Sequence, residues 1–203
     1  MPHLKYSFLS LHCNVFEAAS LNPLPSSRDA AAFFATLRRR KEKSQSYGEL
    51  ASPTLDNATK WLERRAKYLA SNSEKDAVLV LYVSTHGFES NGDLHLCLRD
   101  SSQAKGAQSM LSLCALEERL APFWEESPTR RIVLLLQTCR ERLVPEQAEE
   151  STPEEIWAEN QQWSVFFAAK SGGQAHGTEK SFSLRDEDFS VAYGLFTKVF
   201  LDK

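Results

Sequence analysis

The longest unbroken apolar stretches, Val78–Val83 and Ile132–Leu136, are of strand length. A helix crossing a bilayer needs about 20 apolar residues in succession, so no membrane segment is expected. Cysteine is sparse, 4 in 203 residues, and no two are spaced as a C-x-x-C pair. That excludes a zinc ribbon. The opening MPHLKYSFLSLHC has one lysine, a broken apolar run and no small-residue cleavage site, so it does not read as a secretory signal. Reduced thiols and a cytoplasmic location are the expectation that follows. Neither sign of charge dominates: 24 Lys and Arg face 27 Asp and Glu, a net charge of −3, which argues against a nucleic-acid binder held by bulk charge. Internal repeats and low-complexity tracts are missing as well. What is present is a 42% hydrophobic composition, too apolar for a disordered chain, in a length suited to a single domain over residues 1–203.

The apolar residues fall into two periods. Lys5–Leu11, Asp76–Val83, Arg131–Leu136 and Trp163–Ala169 read as strands, the second and third as central strands buried on both faces. Ala30, Phe33, Phe34 and Leu37 lie on one face of a helix over about 28–40, whose basic end, Arg38–Lys41, complements the helix dipole. Ser52-Pro53-Thr54 opens a second helix carrying Ala58, Trp61, Leu62, Ala66 and Leu69 as its apolar stripe, and Ser112–Phe123 forms a third. Asn91-Gly92 is a turn between two short strands, Phe88–Ser90 and Asp93–Leu98. Arg140–Asn160, rich in glutamate with two prolines, reads as a long exposed loop. Strands alternating with helices predict an α/β sandwich around a mainly parallel sheet.

In such sheets the site is built where strands end at their carboxyl edge. Ser84-Thr85-His86-Gly87 and Gln137-Thr138-Cys139-Arg140 both leave a buried strand abruptly into polar residues. His86 is the one histidine that follows a buried strand and precedes a glycine; Cys139 is the one cysteine that follows a buried strand into a polar loop. On neighbouring strands they have the elements of a nucleophilic dyad, the imidazole drawing the thiol toward thiolate. Gly87 lets backbone approach a substrate closely, so its N–H and that of Cys139 are candidate oxyanion donors. Taken singly, each residue has a plain structural reading: a turn histidine, a packed cysteine. The pair at two adjacent strand ends is what singles them out.

These segments resemble the caspase-like cysteine peptidases, which include caspases, metacaspases and bacterial relatives. Gln137-Thr138-Cys139-Arg140 resembles the start of the nucleophile signature, and Ser84-Thr85-His86-Gly87 the histidine motif of bacterial members. Asp29-Ala30, Asp76, Gly173-Gln174-Ala175 with Glu179, and Gly194-Leu195-Phe196-Thr197 follow in family order, from about Tyr6 to Leu201. The resemblance implies a caspase-like α/β/α sandwich that hydrolyses peptide bonds of protein or peptide substrates. Cys139 would be nucleophile, His86 general acid and base, Gly87 and Cys139 the oxyanion hole, and Gln137 and Ser84 substrate-binding residues. It implies no metal or other cofactor, a regulated role in cell death or defence, and an activating partner or fused domain.

Two departures bear on activity. Glu141 stands where the family signature has glycine, and a carboxylate there opposes thiolate formation. A catalytically weak or inactive interaction module is therefore the alternative reading, and an acyl-transfer enzyme using the same dyad a third. Residue preference at the cleavage site stays open: Gln137 is neutral, Arg99 and Arg185 are candidates for holding an acidic substrate side chain, and Asp93 or Asp100 for holding a basic one.

Overall fold

In a computed structural model, the structure describes residues 4–24, 30–35, 45–90, 92–139, 141–142 and 162–168, with short strand pairs at 177–178/193–194 and 182–183/188–189. Most of the acidic segment, most of the carboxyl-terminal motifs and Arg185 lie outside the described residues.

The central sheet has five strands: β1 (Leu4–His12), β2 (Gln45–Ala51), β3 (Ser73–Thr85), β7 (Arg131–Thr138) and β9 (Trp163–Phe167). They are ordered β2-β1-β3-β7-β9 and every pair is parallel, as alternating strands and helices require. A second sheet of short strands, β4 (Gly87–Ser90), β5 (Asp93–Leu96), β6 (Leu111–Ser112) and β8 (Glu141–Arg142), continues from the carboxyl edge in the order β6-β5-β4-β8.

Alternation along the strands builds a core on each face of the central sheet. Leu9, Leu11, Leu79, Leu81, Leu134 and Leu136 pack with the stripes of α2 (Leu55–Asn72) and α3 (Leu113–Trp124). Phe8, Tyr82 and Leu135 point the other way, onto Ala30, Phe33 and Phe34 of α1, described over residues 30–35. The expected three-layer α/β/α sandwich with a mainly parallel sheet is therefore the observed one.

Local chemistry sets the helix starts. The Thr54 side chain accepts from Asn57 N–H to cap α2, Asp56 sits in the first turn, and Ser112 caps α3 by accepting from Ala115 N–H. Two more orphan donors at these termini are taken by aspartates from elsewhere. Asp100 Oδ1 accepts from Leu55 N–H at 2.9 Å, and Asp93 Oδ1 accepts from Leu113 N–H at 3.2 Å. Both aspartates considered for an acidic pocket are thus helix caps. Several strands differ from the sequence reading: β5 ends at Leu96, and β8 lies inside the segment read as a long exposed loop. β3 begins at Ser73, directly from the end of α2, and β2 occupies a segment with no clear strand signal.

Candidate active site

The strand pairing places the two candidate residues opposite one another. β3 and β7 pair up to the rung Thr85↔Thr138, and β4 and β8 resume at Phe88↔Glu141 with the same offset of 53 residues. His86 and Cys139 stand at that same offset of 53, in the gap between the two pairings. Neighbouring strands lie about 4.8 Å apart, and residues opposite in register project from the same face. The same offset on either side sets the two residues level with one another where the strands leave the carboxyl edge, and both are partly exposed.

Gly87 is required by this close approach. A Cβ built there would stand 2.6 Å from the Cys139 carbonyl oxygen and 3.2 Å from Thr138 Cβ, so any larger residue would push the Cys139 backbone away. The two N–H groups offered as oxyanion donors therefore sit on backbones in contact.

The imidazole is held from a third element. His86 Nε2 lies 2.8 Å from the backbone carbonyl of Asn22, in the loop after β1. A carbonyl only accepts, so Nε2 carries the proton and the neutral ring keeps its lone pair on Nδ1. The Phe16 ring packs against the imidazole at 5.1 Å between centroids. Sequence reasoning missed both contacts. A backbone carbonyl leaves no trace in residue identity, and Phe16 reads as an ordinary apolar loop residue.

A second cysteine also neighbours His86. Cys97 N–H donates to the His86 carbonyl at 2.8 Å, next to the antiparallel rung Gly87↔Leu96, so Cys97 flanks His86 on the side away from Cys139. It is fully buried, with Sγ 3.9 Å from Met110 Sδ. Burial first, then the neighbouring Cys13 and Cys139, push its thiol up to about 12. Cys13 is likewise buried and raised to about 11 by desolvation. Cys114 is exposed, far along the chain at the start of α3, and raised to about 11 by desolvation and then by Asp93. Of the two thiols flanking the imidazole, Cys139 alone has a partly exposed position.

One rung inward on the same face, His12, Ser84 and Gln137 form a buried polar row across β1, β3 and β7. Gln137 Oε1 and His12 Nδ1 find no partner among the described residues, whereas His12 Nε2 meets Glu49 Oε1 at 2.9 Å. Ser84 and Gln137, the expected substrate-binding residues, therefore lie beneath His86 and Cys139. Arg99 does not join them: its Nε pairs with Glu17 Oε1 at 3.2 Å. Among the described residues no cluster of His, Cys, Asp and Glu is arranged to hold a metal ion, and no helix is long and apolar enough to cross a membrane.

Comparison with curated proteins yields no match. The family model of the caspase domain, by contrast, matches residues 11–198, from the end of β1 through His86 and Cys139 to the carboxyl-terminal motifs; the chain belongs to the caspase-domain family of cysteine peptidases.

Proposed function

We propose that the chain is a cysteine endopeptidase working through Cys139 and His86. The observation that carries this reading is the offset of 53 residues kept by the strand pairs before and after His86 and Cys139, which sets the two level at the sheet edge. In the proposed cycle, Nδ1 of His86 takes the thiol proton and the Cys139 sulfur attacks the scissile carbonyl carbon, forming a C–S bond. Negative charge develops on the carbonyl oxygen, where the Gly87 and Cys139 N–H groups stabilise it. The C–N bond then breaks as His86 gives its proton to the departing amine. Water, deprotonated by His86, cleaves the resulting thioester, and the proton returns to the thiolate. Gln137 and Ser84, buried one rung below, line the pocket for the substrate residue that precedes the scissile bond.

Family membership supports a further reading as a regulated effector in cell death or defence within the cytoplasm, switched by a partner or a fused domain. The second reading, a weak or inactive interaction module, is favoured by Glu141 in the position that the family signature gives to glycine.

A positional-scanning fluorogenic peptide library separates these readings. We expect turnover by the wild type, and losses of at least about 10³-fold for Cys139→Ala and His86→Ala. A thiol-reactive peptide analogue gives the second readout. Labelling of Cys139 that depends on His86, without turnover, indicates a latent enzyme. Neither turnover nor labelling indicates the interaction module.

A further inference from the structure

The loop after β1 does more than connect. Its Asn22 carbonyl and its Phe16 ring both bear on the His86 imidazole. Phe16 in turn packs on a small buried cluster of Leu21, Phe88, Cys97 and Met110, separate from the two main cores. The loop is tied at three further points. Cys13 N–H donates to the Ser84 carbonyl, Glu17 N–H donates to the Arg99 carbonyl at 2.8 Å, and the Glu17 carboxylate pairs with the Arg99 guanidinium. Arg99 N–H is itself anchored on the Pro53 carbonyl.

An imidazole rotates easily about its Cβ–Cγ bond, where the torsional preference is broad, and one hydrogen bond to a carbonyl is a weak restraint on that motion. A bulky ring packed beside the imidazole, tilted 47° to it, adds the missing restraint. We infer that Phe16, held by the Glu17–Arg99 pair, is a positioning residue that keeps the His86 ring with Nε2–H on the Asn22 carbonyl and Nδ1 turned toward Cys139. This rests on the peptidase reading above, in which Nδ1 is the atom that moves the proton. The Glu17–Arg99 pair is solvent-exposed, and such pairs contribute little to global stability. Its place in the molecule is accounted for by what it holds.

The test compares Phe16→Ala, Phe16→Leu, Phe16→Tyr and Glu17→Gln with the wild type. Peptide turnover is one readout; the long-range ¹H–¹⁵N spectrum of the His86 ring, which reports tautomer without needing activity, is the other. For Phe16→Leu, which keeps apolar bulk in the small cluster, and for Phe16→Ala we expect kcat to fall about tenfold at unchanged KM. Phe16→Tyr restores it, and Glu17→Gln lowers kcat about threefold. In parallel, the His86 spectrum loses its single Nε2–H tautomer in the Ala and Leu variants. Wild-type kcat and an unchanged ring spectrum in Phe16→Leu overturn the inference by reducing Phe16 to packing. A raised KM at constant kcat also overturns it, making Phe16 a substrate contact. If the wild type neither turns over peptide nor labels at Cys139 while its tautomer is lost in Phe16→Leu, the peptidase reading fails and the positioning role stands.

Discussion

The two ends of the central sheet are built on opposite terms. At the amino end, polar side chains gather the carbonyls that α2, α3 and the strand starts leave over. Arg130 is almost fully buried and donates to Ala70, Ser73, Glu74 and Phe123 carbonyls, with its guanidinium packed over the Phe123 ring. Gln162 Nε2 lies within reach of the Trp124, Ser127 and Arg130 carbonyls, and Thr129 Oγ1 donates to the Lys75 carbonyl. At the carboxyl end, Ser10 Oγ, His12 Nδ1, Gln137 Oε1 and Thr138 Oγ1 are buried without a partner among the described residues. The amino end has such atoms too, Ser73 Oγ and Trp124 Nε1, but at the carboxyl end His12 and Gln137 lie in one row with Ser84 beneath His86 and Cys139. The amino end is the better satisfied and stabilises the fold. The other keeps polar groups in reserve, and a site for another chain's backbone and side chains needs that.

The sharpest way to break this comparison is to exchange the roles of the two ends. Arg130 carries a charge whose pKa desolvation lowers, with four carbonyls depending on its donors. Arg130→Met should leave those carbonyls buried and unpaired at a cost of about 3–5 kcal/mol, measured by urea unfolding. Arg130→Lys should recover only part of that, because one ammonium group lacks the fork that reaches two helix ends and a strand. Turnover by the molecules that remain folded should be unchanged. Cys139→Ala should show the reverse, full stability without turnover. Loss of turnover in folded Arg130→Met would mean that the two ends are coupled through the sheet.

A smaller effect is expected from the thiols at the site end. Cys97 is raised from the ordinary value of 9.0 to about 12, so its thiolate is disfavoured in the folded chain relative to the unfolded one. The stability linked to it is complete below pH 9 and is lost as pH rises from there toward 12. By pH 11 the loss attributable to Cys97 is about 3 kcal/mol. Unfolding of Cys97→Ala should therefore depend less steeply on pH between 9 and 11 than that of the wild type. Parallel curves for the two proteins would show that the thiol is not desolvated as the structure places it.

The same division governs what the sequence made legible. The core strands β3 and β7 were plain because their unbroken apolar runs have one physical reading, burial on both faces. His86, Gly87 and Cys139 were plain because each is an abrupt chemical change at the end of such a run. β2 was not: Gln45–Ala51 mixes glutamine, glycine and glutamate, and it is a strand because β1 offers an open edge to pair with in register. Its Gly48 lies where a Cβ would stand 2.8 Å from Leu9 Cδ2, a requirement that exists only once the strands meet. Arg130 looked like any charge flanking a strand, since the carbonyls that it gathers come from 56 to 60 positions earlier as well as from nearby Phe123. Cys97 and the Asn22 carbonyl belong to the site through pairing and loop path, which residue identity does not encode. Side-chain chemistry was readable; contacts made by backbone or created by topology were not.

The two aspartates near the site mark where that boundary is finest. In sequence, Asp93 and Asp100 beside turns read equally well as pocket acids for a basic substrate residue. In the structure each spends its carboxylate on a helix terminus: Asp100 on Leu55 N–H, and Asp93 on both Leu113 and Cys114 N–H. A carboxylate at a helix amino terminus is stabilising through the orphan N–H groups and the dipole together. Asp100→Ala and Asp93→Ala should each lower stability by about 1 kcal/mol and leave the peptide preference of the library screen unaltered. Asp93→Ala should also bring the Cys114 thiol down toward its ordinary value, because Asp93 follows desolvation among the causes that raise it; maleimide labelling of Cys114 would then be faster at pH 8. A changed preference for basic residues in either variant would return that aspartate to the pocket and leave the helix cap as its secondary role.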